Sequence, residues 1–266
     1  MNPKLALLSN GRKLSYAEYG APDGHPVLLL HGLVGSVISE GMEEQLAGIP
    51  LRVLALACPG YGASDYFEMS CVADWPRQLK AFLDDLGLHS FDVYAISAGA
   101  PYGYALAAFY PDRVRAVYVN SGIPAVCLPE VLACYSPQEA ALYARWREMS
   151  RQEIGREVYE SYLPQFSEKV RQRRDFVDSM GGSLENIGQE ARLQEAPWGF
   201  DLAQVQCPVI LAHGTADTEV PYAGMAETAK RLPQAKVISL DGEGHVSPAV
   251  TASLMAICFR RNCACG

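Results

Sequence analysis

This chain of 266 residues predicts an α/β fold with a mostly parallel sheet, on three observations. Continuous apolar runs such as Pro26-Val27-Leu28-Leu29-Leu30 and Val209-Ile210-Leu211-Ala212 lack the alternation of a half-exposed strand and suit strands buried on both faces. Such runs alternate with helical periodicity up to residue 120, an order that implies parallel strands joined by right-handed crossovers. Hydrophobic residues make up 49% of the chain and charged residues 20%, which supplies a large core and excludes wholesale disorder. The length suits one core carrying an insertion.

Taken in order, residues 4–8 and 12–19 read as two extended segments around the hairpin signal Asn10-Gly11, followed by the turn Ala21-Pro22-Asp23-Gly24. They predict an antiparallel edge. The buried strand from Pro26 ends in His31-Gly32, so Leu33 falls just past its carboxyl end. A helix over Glu40 to Ala47 leads to a strand from Leu51 to Ala57 and then to Cys58-Pro59-Gly60-Tyr61-Gly62, whose Gly-x-Gly lacks the third glycine of a dinucleotide fingerprint. Between Val72 and Leu86 the apolar positions recur at three and four residues, predicting one helix stopped by Gly87. Phe91 to Ile96 is the next strand, Tyr102 to Tyr110 a helix ending before Pro111, and Val114 to Asn120 a further strand. Strands at 207–214 and 235–240, with helices at 222–232 and from about Pro248 to Arg260, bring the expected sheet to eight strands.

The alternation breaks near Ile123-Pro124, and up to Trp198 the sequence is helical. The expected division is therefore 1–124 and 199–266 as one core, with 125–198 as an inserted helical piece. Ser136-Pro137-Gln138-Glu139 and Ser150-Arg151-Gln152-Glu153 are capping-box signals, and Ser167 and Ser183 are expected to cap two more helices. Gly181-Gly182 and Gly188 are expected hinge points.

Net charge −8, from 22 Lys+Arg against 30 Asp+Glu with no long basic run, argues against nucleic acid and against an anionic membrane surface. The Arg171 to Arg174 cluster reads as a solvated helix face. Eight cysteines are scattered without paired C-x-x-C spacing, so no metal is expected, and free thiols in a reducing cytoplasm are. Cys263 and Cys265 read as surface thiols near a frayed end. The first residues hold no apolar stretch long enough for a signal peptide, and no segment approaches the ~20 apolar residues of a membrane span.

The stretch Phe91-Asp92-Val93-Tyr94-Ala95-Ile96-Ser97-Ala98-Gly99 carries the chemistry. A strand that reverses into a helix leaves little room around its turn, and Ala95 and Gly99 supply the small residues two positions either side of Ser97. Parallel strands end at one edge, so Asp217 in the loop after residue 214 and His245 in the loop after residue 240 become neighbours of Ser97. A serine hydroxyl needs a base, and the base needs a carboxylate to fix its tautomer. Glu219 and Asp241 are alternative acids; position relative to the strand end favours Asp217. Of the five histidines, His25 and His89 fall at the opposite edge, and His31 and His213 belong to His-Gly strand ends and are expected to hold loop hydrogen bonds, which leaves His245.

Beyond these residues, His31-Gly32, Pro59-Gly60-Tyr61-Gly62-Ala63-Ser64, Tyr110-Pro111-Asp112-Arg113-Val114, His213-Gly214-Thr215-Ala216-Asp217 and Gly244-His245 give the chain a likeness over nearly its whole length. It resembles the serine hydrolases of the α/β-hydrolase superfamily that carry a helical cap after the sixth strand. The resemblance implies esterase-like acyl transfer to water with no cofactor, a small-molecule substrate, and an oxyanion hole built from the N–H groups of Leu33 and Ala98. Thioesters, small amides and carbon-carbon bonds are cleaved on the same landmarks, and acyltransferases and ligand receptors share them. Two departures stand out: Ala95 replaces the more frequent glycine, and Ala57 stands where relatives often carry an acidic residue before Pro-Gly. An aspartate nucleophile would need a carboxylate at position 97.

Overall fold

The computed structural model describes residues 2–263. Its strands are β1 (Lys4–Leu7), β2 (Lys13–Gly20), β3 (His25–Leu30), β4 (Leu51–Leu56), β5 (Phe91–Ile96), β6 (Val114–Asn120), β7 (Val209–Gly214) and β8 (Ala235–Leu240). They form one eight-stranded sheet in the order β1-β2-β4-β3-β5-β6-β7-β8. β2 runs antiparallel to β1 and β4, and the remaining pairings are parallel. Every residue of β7 is buried, and so is all of β5 except Ile96, which is why both read as unbroken apolar runs. β8, at the far edge, is half-exposed.

The helices before the sixth strand are α1 (Met42–Leu46), α2 (Asp74–Gln78), α3 (Lys80–Asp85) and α4 (Ala100–Phe109). The single helix expected over 72–86 is thus two short ones, because the Leu79 N–H donates back three residues to Pro76 O, at 3.2 Å, in one tightened turn. Gly87, at φ 62, ends the second as expected.

Between β6 and β7 the described chain is helical: α5 (Pro129–Leu132), α6 (Pro137–Trp146), α7 (Arg151–Tyr162), α8 (Glu168–Arg171), α9 (Arg174–Met180) and α10 (Glu185–Glu195). Both expected capping boxes form, at Ser136 with Glu139 and at Ser150 with Glu153. Ser167 caps α8 through the Val170 N–H. Ser183 stands one residue before the N-cap position, which belongs to Leu184 at φ 65, and its Oγ accepts the Glu185 N–H at 3.4 Å at the start of α10. The arginine cluster is paired rather than simply solvated, with Arg171 donating to the carbonyls of Leu163 and Phe166, Arg173 bound to Asp175 and Arg174 to Asp178. α11 (Tyr222–Ala229) and α12 (Pro248–Cys263) complete the core.

Gly188 is not a hinge. A Cβ there would lie 1.7 Å from Arg151 O, and one on Gly155 would lie 2.1 Å from Leu184 O, so the two glycines let α7 and α10 touch backbone to backbone. α10 is polar in sequence yet buried. Gln189 accepts the Met69 N–H at 2.8 Å and donates to Phe67 O at 3.1 Å, and Glu190 accepts the Tyr102 hydroxyl at 2.7 Å. These bonds replace the water that a polar helix would otherwise require. Burial pushes the Glu190 carboxyl up to about 8, with the Tyr102 bond offsetting it only in part. Cys58 and Cys258 are buried free thiols, while the side chains of Cys263 and Cys265 lie outside the described residues. Among the described residues no helix is long and apolar enough to cross a membrane.

Candidate active site

β5 delivers Ser97 to the carboxyl edge of the sheet at φ 49, between extended Ile96 and the tight turn Ser97–Gly99 that opens α4. A left-handed non-glycine residue costs ~1–3 kcal/mol, which the packing around it must hold in place. That packing explains the small residues. A Cβ on Gly99 would sit 2.6 Å from Leu30 O, one on Gly32 would sit 3.2 Å from Ser97 Cβ, and one on Gly103 would sit 3.2 Å from the Ala95 methyl. Ala95 is tolerated in place of glycine because Gly103 faces it.

Asp217 and His245 arrive from the loops after β7 and β8. These loops are interlocked: the Ala216 N–H donates to Glu243 O at 3.0 Å, and a Cβ on Gly214 would meet that same oxygen at 2.1 Å. The Asp217 side chain is fully buried. Its Oδ1 accepts the N–H groups of Glu219 and Val220 at 2.9 and 2.8 Å, and its Oδ2 accepts His245 Nδ1–H at 2.8 Å. His245 Nε2 lies 3.0 Å from Ser97 Oγ. An ionised carboxylate only accepts, so Nδ1 carries the proton and Nε2 is left to accept from the serine hydroxyl. Burial alone would raise the Asp217 carboxyl; its bonds to His213, His245 and the Val220 N–H outweigh that and hold it below the usual carboxylate range.

The two alternative acids are held elsewhere. Asp241 accepts the Thr215 hydroxyl at 3.1 Å, and Glu219 accepts the Tyr162 hydroxyl at 3.3 Å. His31 has the loop-holding place expected for it: its Nδ1 bonds Gly32 O at 2.7 Å, and its Nε2 accepts the Cys58 N–H at 3.1 Å. Burial lowers its proton affinity, as that neutral, accepting ring requires. The loop after β4 is therefore anchored without an acid at 57, since the Ala57 N–H donates to Ser15 O and Ser64 Oγ donates to Ala57 O. His213 does more than expected, with Nε2 2.8 Å from Val220 O and 3.2 Å from Asp217 Oδ2.

Two contributors carry no sequence signal. Ser121 and Val246 are both left-handed, at φ 48 and 46, and the Val246 N–H donates to Ser121 Oγ at 3.0 Å, pinning the residue after His245 to the end of β6. Leu33 lies outside any helix or strand, and its N–H has no acceptor among the hydrogen bonds of the described residues. Ala98 lies in the first turn of a helical segment, where N–H groups lack intrahelical acceptors. Two chambers open on Ser97 and His245. One of about 540 Å³ runs between the 31–42 loop and residues 162–175; the other, of about 280 Å³, lies under α6 and α7 beside Ala98.

Residues 27–254 match the model of the alpha/beta hydrolase family. The chain belongs to that family. An uncharacterized hydrolase of Bacillus subtilis, YcgS, is 24% identical to this alpha/beta hydrolase over 260 residues, covering 89% of each chain. Lipase 1 of Psychrobacter immobilis is 27% identical over 260 residues, covering 91% of this chain and 78% of the lipase. The haloalkane dehalogenase DbeA of Bradyrhizobium elkani superposes with a TM-score of 0.75 at 21% identity, covering 100% of this chain and 99% of the dehalogenase, a likeness of fold.

Proposed function

We propose that this alpha/beta hydrolase cleaves a carboxylic ester of a small molecule through an acyl-enzyme. Ser97 Oγ attacks the carbonyl carbon while His245 Nε2 takes its proton, and Asp217 stabilises the imidazolium. The carbonyl oxygen, now negative, accepts from the Leu33 and Ala98 N–H groups. The intermediate collapses, the C–O bond to the alcohol breaks, and His245 returns the proton to the departing oxygen. Water, deprotonated by the same nitrogen, then releases the acid. The reaction needs no cofactor. Residues 125–198 act as a cap over the core formed by 1–124 and 199–266, and the free thiols fit a cytoplasmic setting.

The observation that carries this reading is the unbroken chain from Asp217 through His245 to a strained, strand-end serine, with both bonds within hydrogen-bond reach. The name of the Psychrobacter lipase adds support for ester chemistry. The test mixes purified protein with a tenfold excess of p-nitrophenyl esters of graded acyl length and counts product per protein. Steady turnover past one equivalent, abolished by Ser97→Ala, is expected. One equivalent followed by a stall indicates a receptor on the same scaffold, and an active Ser97→Ala refutes the nucleophile.

A further inference from the structure

The smaller chamber differs from the larger in charge and in wall chemistry. Tyr135, Tyr143 and Trp146 form one of its sides in successive edge-to-face contacts, with ring centroids 5.7 Å apart in both pairs. Glu139, Glu157 and Glu219 also line it, and no lysine or arginine does. Arg145 pairs with Glu157 but is 58% exposed and is not part of the lining. Among the described residues Glu219 has no cationic partner: its carboxylate accepts the Tyr162 hydroxyl, and its backbone N–H is already bound to Asp217. Tyr135 is 9% exposed, its hydroxyl buried beside that of Tyr143. In the larger chamber, by contrast, Arg173 and Arg174 are each matched by an aspartate.

Building on the ester reading, we infer that the small chamber is a subsite for an ammonium group carried by the substrate. Aromatic faces attract a cation through their quadrupoles, and an unmatched carboxylate at the mouth adds a Coulombic pull. An anionic substituent would meet Glu139 and Glu219 there, neither of them ion-paired with a basic side chain among the described residues, beside the Arg145-paired Glu157. Glu219 is the specificity residue of this arrangement, because it lines both chambers and its carboxylate is not neutralised by a basic side chain.

The experiment compares isosteric pairs differing only in charge. Acetylcholine is set against 3,3-dimethylbutyl acetate, and p-nitrophenyl 4-(trimethylammonio)butanoate against p-nitrophenyl 5,5-dimethylhexanoate, so that the cation enters from either side of the ester. At least one cationic member is expected to have a kcat/KM about tenfold above its neutral isostere, the scale of a desolvated cation–aromatic contact. The preference resides in KM and shrinks in high salt. Glu219→Gln keeps an acceptor for Tyr162 but removes the charge, and the ratio should fall by about threefold or more. Binding of choline, followed by tryptophan fluorescence against 3,3-dimethylbutan-1-ol as its neutral isostere, needs no turnover and reads the subsite alone. Cation binding that Glu219→Gln weakens supports the subsite even if every ester resists hydrolysis, in which case the ester reading fails by itself. Equal rates within both pairs, or binding no tighter than the neutral control, overturn the inference while Ser97-dependent hydrolysis stands.

Discussion

The sheet edge and the helical segment between β6 and β7 solve opposite problems. At the edge, positions are fixed by backbone: Ser97, Ser121 and Val246 are all left-handed, Gly99 and Gly214 touch carbonyl oxygens, and the loops after β7 and β8 interlock. In the helical segment, positions are fixed largely by side chains, through capping boxes, ion pairs and the buried polar bonds of α10. A backbone-built edge holds reacting atoms in place, as pre-organised catalysis requires. A side-chain-built roof can change its lining without disturbing them. Substitutions at the edge should therefore alter turnover with little loss of stability, and substitutions in the roof should do the reverse.

The sharpest contrast is at His245. His245→Ala should lower turnover by roughly six orders of magnitude, and Asp217→Asn by roughly four, with thermal midpoints close to the parent. A residual rate of a few per cent in either variant would break the contrast. Next is the proposed oxyanion donor at Ala98. Proline there would push Ser97 toward extended backbone and confuse two effects, so the N–H is better removed by an amide-to-ester exchange at the Ser97–Ala98 bond. A loss of about 10²- to 10³-fold in kcat with the fold intact is expected, and an unchanged kcat excludes that donor.

In the roof, Glu190 should set a pH dependence of stability. Its folded-state carboxyl, near 8, lies above the ordinary 4.5, so its contribution is complete below about pH 4.5 and is lost as the pH rises through 8. Denaturation of the parent and of Glu190→Gln at pH 5 and pH 9 should therefore diverge, the parent losing about 2–4 kcal/mol more at the higher pH. Parallel pH profiles would show that this carboxyl does not titrate in that range. Activity should change least at the α7–α10 crossing: Gly188→Ala should cost about 3 kcal/mol or more of stability, because a Cβ 1.7 Å from Arg151 O forces the two helices apart, with activity retained in the protein that folds. Calorimetry beside a p-nitrophenyl acetate assay separates the two.

The same contrast explains what was legible in the sequence. β5 and β7 are buried along nearly their whole lengths, so their apolar runs were unmistakable, and a parallel sheet brings residues 97, 217 and 245 to one edge whatever the roof looks like. α10 was not legible as a buried helix. Its Glu-Asn-Ile-Gly-Gln-Glu-Ala-Arg-Leu-Gln-Glu reads as a solvated surface, and its partners, at Phe67, Met69 and Tyr102, lie about 90 to 120 residues away in the chain. Gly188 misled for a related reason, since a glycine needed for close contact and one needed for bending look alike until the neighbouring backbone is known. The Ser121–Val246 bond is likewise tertiary, between a strand end and a loop 125 residues later.

β6 and β7 are hydrogen-bonded neighbours, with Asn120 opposite Ala212, although the helical segment separates them in the chain. The sheet thus closes across the gap by its own pairing, and what lies between is a loop tethered at two adjacent strands. Doubling the length of such a loop adds only about 0.6 kcal/mol of closure entropy. A lineage can therefore lengthen, trim or exchange this segment while keeping Ser97 and its neighbours in place.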